Sequence, residues 1–285
     1  MSEEKDIEHI TTLSEDIKKV IQEKDAIKLK EGGIRVDPVF MTRQICDIVP
    51  NPWIAHEFAL SVLNHLADKY DHKMIANNFV FIIEELRNQL EQEKDRLAEN
   101  VCRQMLDSDQ MRFLVIGEKF DFTFPKSIKI KPTATTLNRK DGQQLQLSLF
   151  KFVPEEDFNE TEKAVAWYLE GQKRLFFWYR NRARRDYAIQ GWRKHKIYPD
   201  FIFTATGSEN EDDYKQVYVV ETKGLHLIGS ADTDYKRKMF SLCTKEARLR
   251  SWAEFGPAMK NKVIRFEILP EDEWQARLNH MLEMA

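Results

Sequence analysis

The sequence predicts an α/β protein in two parts: an N-terminal helical bundle with a short β linker, then a C-terminal domain ordered α-β-β-β-α-β-α. Three changes of texture carry that expectation. Apolar residues recur at helical spacing through the first third, alternate at a period of two in short β-branched or aromatic runs after Asp107, and mix both patterns from Glu155 onward. With 285 residues and 42% hydrophobic content, the chain can bury two cores of ordinary size.

Ile10, Leu13, Ile17, Val20, Ile21 and Ile27 form the first helical stripe, which Gly32 and Gly33 stop. In IVPNPWIAHEFALSVLNHL, Asn51 can cap and Pro52 suits the first helical position, with Ile54, Phe58, Val62 and Leu66 as the stripe. Tyr70, Asp71 and His72 break it before a long helix containing Leu86, Leu90, Leu97, Val101 and Met105. A helical bundle is expected over 1–108 and a β-rich linker over 109–154. The linker comprises MRFLVIG, DFTFPKSIKIKP and GQQLQLSLFKFVP, with Leu145, Leu147 and Leu149 on one face and a turn at Asn138–Gly142.

Over 155–285 the elements are the helix EEDFNETEKAVAWYLEG ending at Gly171, the strands RLFFWYRN, KIYPDFIFTA and YKQVYVVETKG, the helix KRKMFSLCTKEARLRSWAEFG, the strand KVIRFEILP and a closing helix. No apolar run reaches the roughly 18 to 20 residues of a bilayer crossing, and the acidic, polar MSEEKDIEHI lacks the order of a secretory signal. Cys46, Cys102 and Cys243 form no CxxC pair, which suggests neither zinc nor a disulfide framework and fits a reducing cytoplasm. Between Gln172 and Tyr198 nine Lys or Arg face one acid, Asp186, so a local cationic surface is expected despite a net charge of −3.

The stretch IYPDFIFTATGSENEDDYKQVYVVETKG places Asp200, Glu221 and Lys223 in otherwise apolar strands. A hairpin turning around Gly207–Asp213 sets Asp200 and Glu221 nearly opposite each other, while Lys223, two residues on, shares the face of Glu221. Facing carboxylates repel unless neutralised. Two carboxylates, a main-chain carbonyl taken as that of Thr222, and water make an oxygen set suited to Mg²⁺ or Mn²⁺. Lys223 can then position an attacking water or offset charge on a phosphate, which is equipment for hydrolysing a phosphodiester.

Pro199-Asp200 followed by Glu221-Thr222-Lys223, in that order of elements, resembles the PD-(D/E)xK nuclease superfamily. The resemblance implies a restriction-endonuclease-like α-β-β-β-α-β core, two metal-binding acids in Asp200 and Glu221, and a catalytic Lys223. It also implies a further acid on the preceding helix, matched by Glu162 with Glu160 as the alternative. FFWYRN, RRDYAIQGW, IYPDFIF and VVETKG are similar to the C-terminal nuclease region of type III restriction enzyme Res subunits and related helicase-nuclease proteins. IVPNPWIAHE resembles a segment between their motor and nuclease, so the likeness runs from about residue 35. It implies a Mg²⁺-dependent DNA endonuclease of a restriction or phage-defence system. Arg180, Asn181, Arg182, Arg184 and Arg185 are then candidates for DNA contact, with Arg180 and Asn181, in the matching WYRN string, placed near the scissile phosphate or the active-site acids, and Lys236 matches a Lys or Gln that such nucleases carry after the motif.

No GxxxxGK[ST] phosphate loop occurs, so ATP hydrolysis is not expected of this chain, and a helicase or translocase motor or a modification subunit is the expected partner. Three alternatives stand beside this reading. Asp200 and Lys223 form a plain strand-to-strand ion pair with Glu221 solvated; the domain is an inactive nucleic-acid-binding or docking module; or residues 1–110 mainly hold a partner.

Overall fold

In the computed structural model, which describes residues 36–108, 110, 115–116, 127–206, 213–249 and 260–283, the chain divides into two compact units, Met1–Gln104 and Met105–Ala285. The expected helix over Ile10–Ile27 and much of the first two linker runs lie outside the described residues, as does the tip of the hairpin.

Asn51 caps helix α2 (Pro52–Lys69) as its sequence implies, its side-chain oxygen accepting the N–H groups of Trp53 and Ile54. Before it lies α1 (Pro38–Ile45), capped by Asp37; after it come α3 (His72–Asn77), capped by Asp71, and α4 (Phe79–Asp107). The buried stripe of α2 contains the expected Val62 and Leu66, together with Ala55, Ala59 and Leu63, whereas Ile54 is exposed. Two alanines on this face let a neighbouring helix approach closely, and Met41 and Ile45 of α1 belong to the same core, with Ile82 and Leu86 of α4.

In the second unit the expected β linker is mostly not strand. Strand β1 is Val115–Ile116, antiparallel to a second short strand, Ala188–Ile189. Described residues 127–154 contain isolated bridges but no strand. The turn is real: Gly142, at φ +81°, donates to Arg139, which in turn donates to Gln143. QLQLSLF gives a single parallel bridge, Ser148 to Trp178, because the buried Glu170 carboxylate captures the N–H groups of Gln146 and Leu147 that a regular ladder would use. Leu137, Leu145 and Val153 lie in the core of the α/β unit.

That unit is mixed α/β. Helix α5 (Glu160–Glu170) precedes β2 (Leu175–Arg180), β3 (Ala188–Ile189), β4 (Phe201–Ala205), β5 (Gln216–Lys223), α6 (Ala231–Leu249), β6 (Val263–Pro270) and α7 (Trp274–Glu283). A four-stranded sheet runs β2-β4-β5-β6, antiparallel except for β5-β6, whose parallel pairing follows from α6 crossing between them. The order α-β-β-β-α-β-α expected from periodicity is present, with β3 inserted.

Helices cover both faces of the sheet. Trp178, Phe201, Phe203, Tyr218 and Val220 pack with α5 and α7, while Phe240 of α6 meets Phe266 on the other face. Strand β5 is buried continuously from Tyr218 to Thr222, as a central strand covered on both faces must be. The three cysteines are free. No helix of the described residues is long and apolar enough to cross a membrane.

Candidate active site

Residues i and i+2 of a strand share a face. Arg180 therefore shares that of Trp178, toward α5, whereas Glu221 and Lys223 share that of Val219, toward α6. Pairing of Phe201 with Val220 carries on, one step further, to Asp200 beside Glu221, so the register read from the hairpin holds. Asp200 is the residue before β4, at the end of the sheet.

Its carboxylate turns along the sheet. Oδ2 accepts the Thr222 N–H at 2.7 Å and its hydroxyl at 2.8 Å, and Oδ1 lies 3.2 Å from Arg180 Nη1. Thr222 thus enters the site as a donor to Asp200.

Glu162 is the N3 residue of a capping box. Asn159 accepts the Glu162 N–H, and Glu162 Oε2 accepts the Asn159 N–H at 2.9 Å, which leaves Oε1 for Arg180 Nη2 at 2.7 Å. Burial pushes the Glu162 carboxyl up to about 6; Arg180 opposes that shift and Asp200 adds to it. The alternative acid, Glu160, is exposed and pairs with Lys163. The capping box explains why α5 starts at Glu160 rather than Glu155, with only a 3₁₀ turn at Glu155–Asp157 before it.

On the other side Glu221, with a side chain only 5% exposed, holds Lys223 Nζ at 2.7 Å and Lys236 Nζ at 2.8 Å, both on Oε1. Its Oε2 is buried without a hydrogen-bond partner. Burial raises the Glu221 carboxyl above its usual range, and the Asp200 charge raises it further against the pull of the two lysines. Burial alone would lower Lys236, but the Glu221 charge and its hydrogen bond, with Asp232 nearby, together outweigh it and the ammonium is held well above its usual range. The strand-to-strand alternative is overturned here, since Lys223 pairs with Glu221, which is buried, and not with Asp200.

The basic stretch divides three ways. Arg180 lies inside the site, 12% exposed, its guanidinium over the rings of Phe158 and Phe201 and its Nη1 also bonded to the Asp200 carbonyl at 2.8 Å. Asn181 is buried at 2% exposure with its amide spent on the main chain of Tyr187 and Pro199, so it fixes the approach to Asp200 and does not reach solvent. Arg182 is paired with Asp186, which the Tyr179 hydroxyl also holds.

Arg184, at φ +64°, and Arg185 are exposed. Lys194 is exposed too, on a loop pinned to α6 by Trp192 and Arg193 against the Tyr235 ring. Gly191 lets the loop come close there, since a Cβ would meet the Tyr235 hydroxyl and lie 2.8 Å from Met239 Sδ, and those side chains would have to shift. Trp178 is core, whereas Phe176 is exposed.

Sequence reasoning brought Asp200, Glu221, Lys223, Glu162 and Lys236 to one place and set Arg180 near the acids or the scissile phosphate, but did not foresee that it links Glu162 to Asp200. A signal existed: an arginine two residues from a core tryptophan faces inward and needs an acid. Among the described residues no group of three or more His, Cys, Asp or Glu is arranged to hold a metal ion. The donors are instead the pair Asp200 and Glu221, with Glu162 tied to Asp200 through the guanidinium. They fit a hard divalent cation in kind: all are oxygens, and one of them is buried and unpartnered. Family models, curated proteins and solved structures were all compared with the chain, and none matches.

Proposed function

We propose that residues 155–285 are a PD-(D/E)xK-type domain that hydrolyses DNA phosphodiester bonds with Mg²⁺ or Mn²⁺, as the nuclease part of a restriction or phage-defence system. The observation that carries the reading is the buried, unpartnered Glu221 Oε2 beside Asp200, with Lys223 on the same carboxylate. A structural ion pair would not leave a desolvated carboxylate oxygen empty-handed, since that costs about 1–3 kcal/mol.

Asp200 and Glu221 would hold the cation, which when bound neutralises the acids and stabilises charge developing on phosphorus. Lys223 donates to a phosphate oxygen or to the attacking water. Lys236, kept protonated by Glu221, acts as a fixed positive charge and not as a base. Glu162 orients Arg180 and through it Asp200. Arg184, Arg185 and Lys194 supply sequence-independent phosphate contacts. A helicase or translocase motor or a modification subunit is the proposed partner.

One observation favours a second reading, that of an inactive DNA-binding module: every carboxylate of the site already has a cationic partner. Incubating supercoiled and linear DNA with the protein, with and without Mg²⁺, separates the two. Wild type should nick, and Asp200→Ala and Lys223→Ala should each lose on the order of 10²–10³-fold. Undiminished nicking by both variants sinks the site; DNA binding without nicking by any form selects the module.

A further inference from the structure

We propose that Arg180 is a positioning residue that stands in for a cation between Glu162 and Asp200, so that the divalent cation and a DNA phosphate enter the site together. This rests on the nuclease reading of the same residues.

Of the six oxygens of Glu162, Asp200 and Glu221, five are already engaged. Arg180 takes Glu162 Oε1 and Asp200 Oδ1, the Asn159 N–H takes Glu162 Oε2, Thr222 takes Asp200 Oδ2, and two lysines share Glu221 Oε1. Only Glu221 Oε2 has no partner. Three acids face three cations, Arg180, Lys223 and Lys236, all at most 18% exposed on their side chains. The buried charges balance as they stand, and the more exposed Asp232 lies 3.4 Å from Lys236 besides.

A divalent cation added alone would bring two uncompensated positive charges into a poorly hydrated place and would displace Nη1 from Asp200 Oδ1. The guanidinium cannot shed its charge; it keeps Glu162 and the Asp200 carbonyl but loses one of its two carboxylate partners, which leaves it able to take a further anion. A phosphodiester supplies one in the right chemistry, because planar N–H pairs match phosphate oxygens, and it also accepts from Lys223 as the cation takes over Glu221. Each ligand thus removes a penalty that the other faces, which is positive coupling between two sites. Cation–π stacking on Phe158 and Phe201 keeps Arg180 in place until the exchange.

The test is calorimetric titration of Ca²⁺, an oxygen-seeking probe, into the full chain alone and with a short DNA duplex. The wild-type dissociation constant for Ca²⁺ should fall about tenfold or more when the duplex is present. Arg180→Gln, checked for folding by circular dichroism, should bind Ca²⁺ about tenfold tighter than wild type without DNA and gain less from the duplex. Arg180→Lys, which keeps the charge, should stay nearer to wild type. Equal Ca²⁺ affinity with and without DNA, or no gain in Arg180→Gln, overturns the coupling and leaves the nuclease reading standing. No Ca²⁺ binding by any form, with or without DNA, overturns both. If Arg180→Gln fails to fold, the wild-type comparison alone decides.

Discussion

Among the described residues, the helical unit buries two polar side chains, Thr42 and Asn64, whereas the α/β unit buries Glu162, Glu170, Glu221, Glu246 and Lys262. Ion pairs of the helices stay at the surface, as Arg96 with Glu93 shows. Such pairs contribute little, and the fully buried apolar residues of α1, α2 and α4 hold that unit together. Buried charge in the α/β unit is of two kinds. Glu170 is satisfied by three N–H donors, from Gln146, Leu147 and the Trp178 ring, and Lys262 by Asp213 and the Tyr214 carbonyl. Glu221 is left with a bare oxygen. Arg265 Nε is buried without a hydrogen-bond partner too, so neither buried charge nor unmet bonding capacity alone marks the site; their coincidence in Glu221 with a neighbouring acid and two lysines does.

The comparison can be broken or sharpened in three ways. The largest stability effect belongs to the helices: Leu86→Ala empties a fully buried position and should cost about 2–5 kcal/mol by denaturant unfolding. Cleavage by the protein that remains folded should be unchanged. A parallel loss of cleavage per folded molecule would mean that the helical unit takes part in the chemistry.

Next, Glu170→Gln and Glu221→Gln should part on cleavage. The first sets an amide donor against existing donors and should destabilise by about 1–3 kcal/mol while leaving metal-dependent cleavage intact. The second removes the acid that Lys223 and Lys236 share, should destabilise as well because both ammonium groups lose a buried partner, and should abolish cleavage. Intact cleavage by Glu221→Gln would place Glu221 with Glu170 as structural.

The third is a pH signature. Burial pushes the Glu162 carboxyl up to about 6 from an ordinary 4.5, so its contribution to stability is fully present below 4.5. It is lost as pH rises through 6. The stability difference between wild type and Glu162→Gln, measured without divalent ions, should shrink by about 2 kcal/mol across that window. A flat difference would mean that Arg180 compensates burial completely.

Much of this was legible from sequence because it is local or periodic. Asn51 and Pro52 start α2, Gly142 makes its turn, and the sum of paired positions across the hairpin brings Asp200 to Glu221. In α2 the expected Val62 and Leu66 are buried, but at its start Ala55 and Ala59 are the fully buried residues instead of Ile54 and Phe58, because alanine carries little hydrophobic signal yet suits close helix contact. QLQLSLF was misread as strand because nothing in its alternation reveals that Glu170, from a helix more than 20 residues on, takes its N–H groups.

The sequence by itself determined which acids and lysines share the end of the sheet, since strand register follows from the position of a turn. The tertiary structure alone decided which cation each acid meets. Arg180 finds Glu162 and Asp200 at separations of 18 and 20 residues, from a helix and a neighbouring strand, and Lys236 reaches Glu221 from a helix on the opposite face. Those pairings depend on how layers stack, and layer stacking is set by the whole core, not by any segment of the chain.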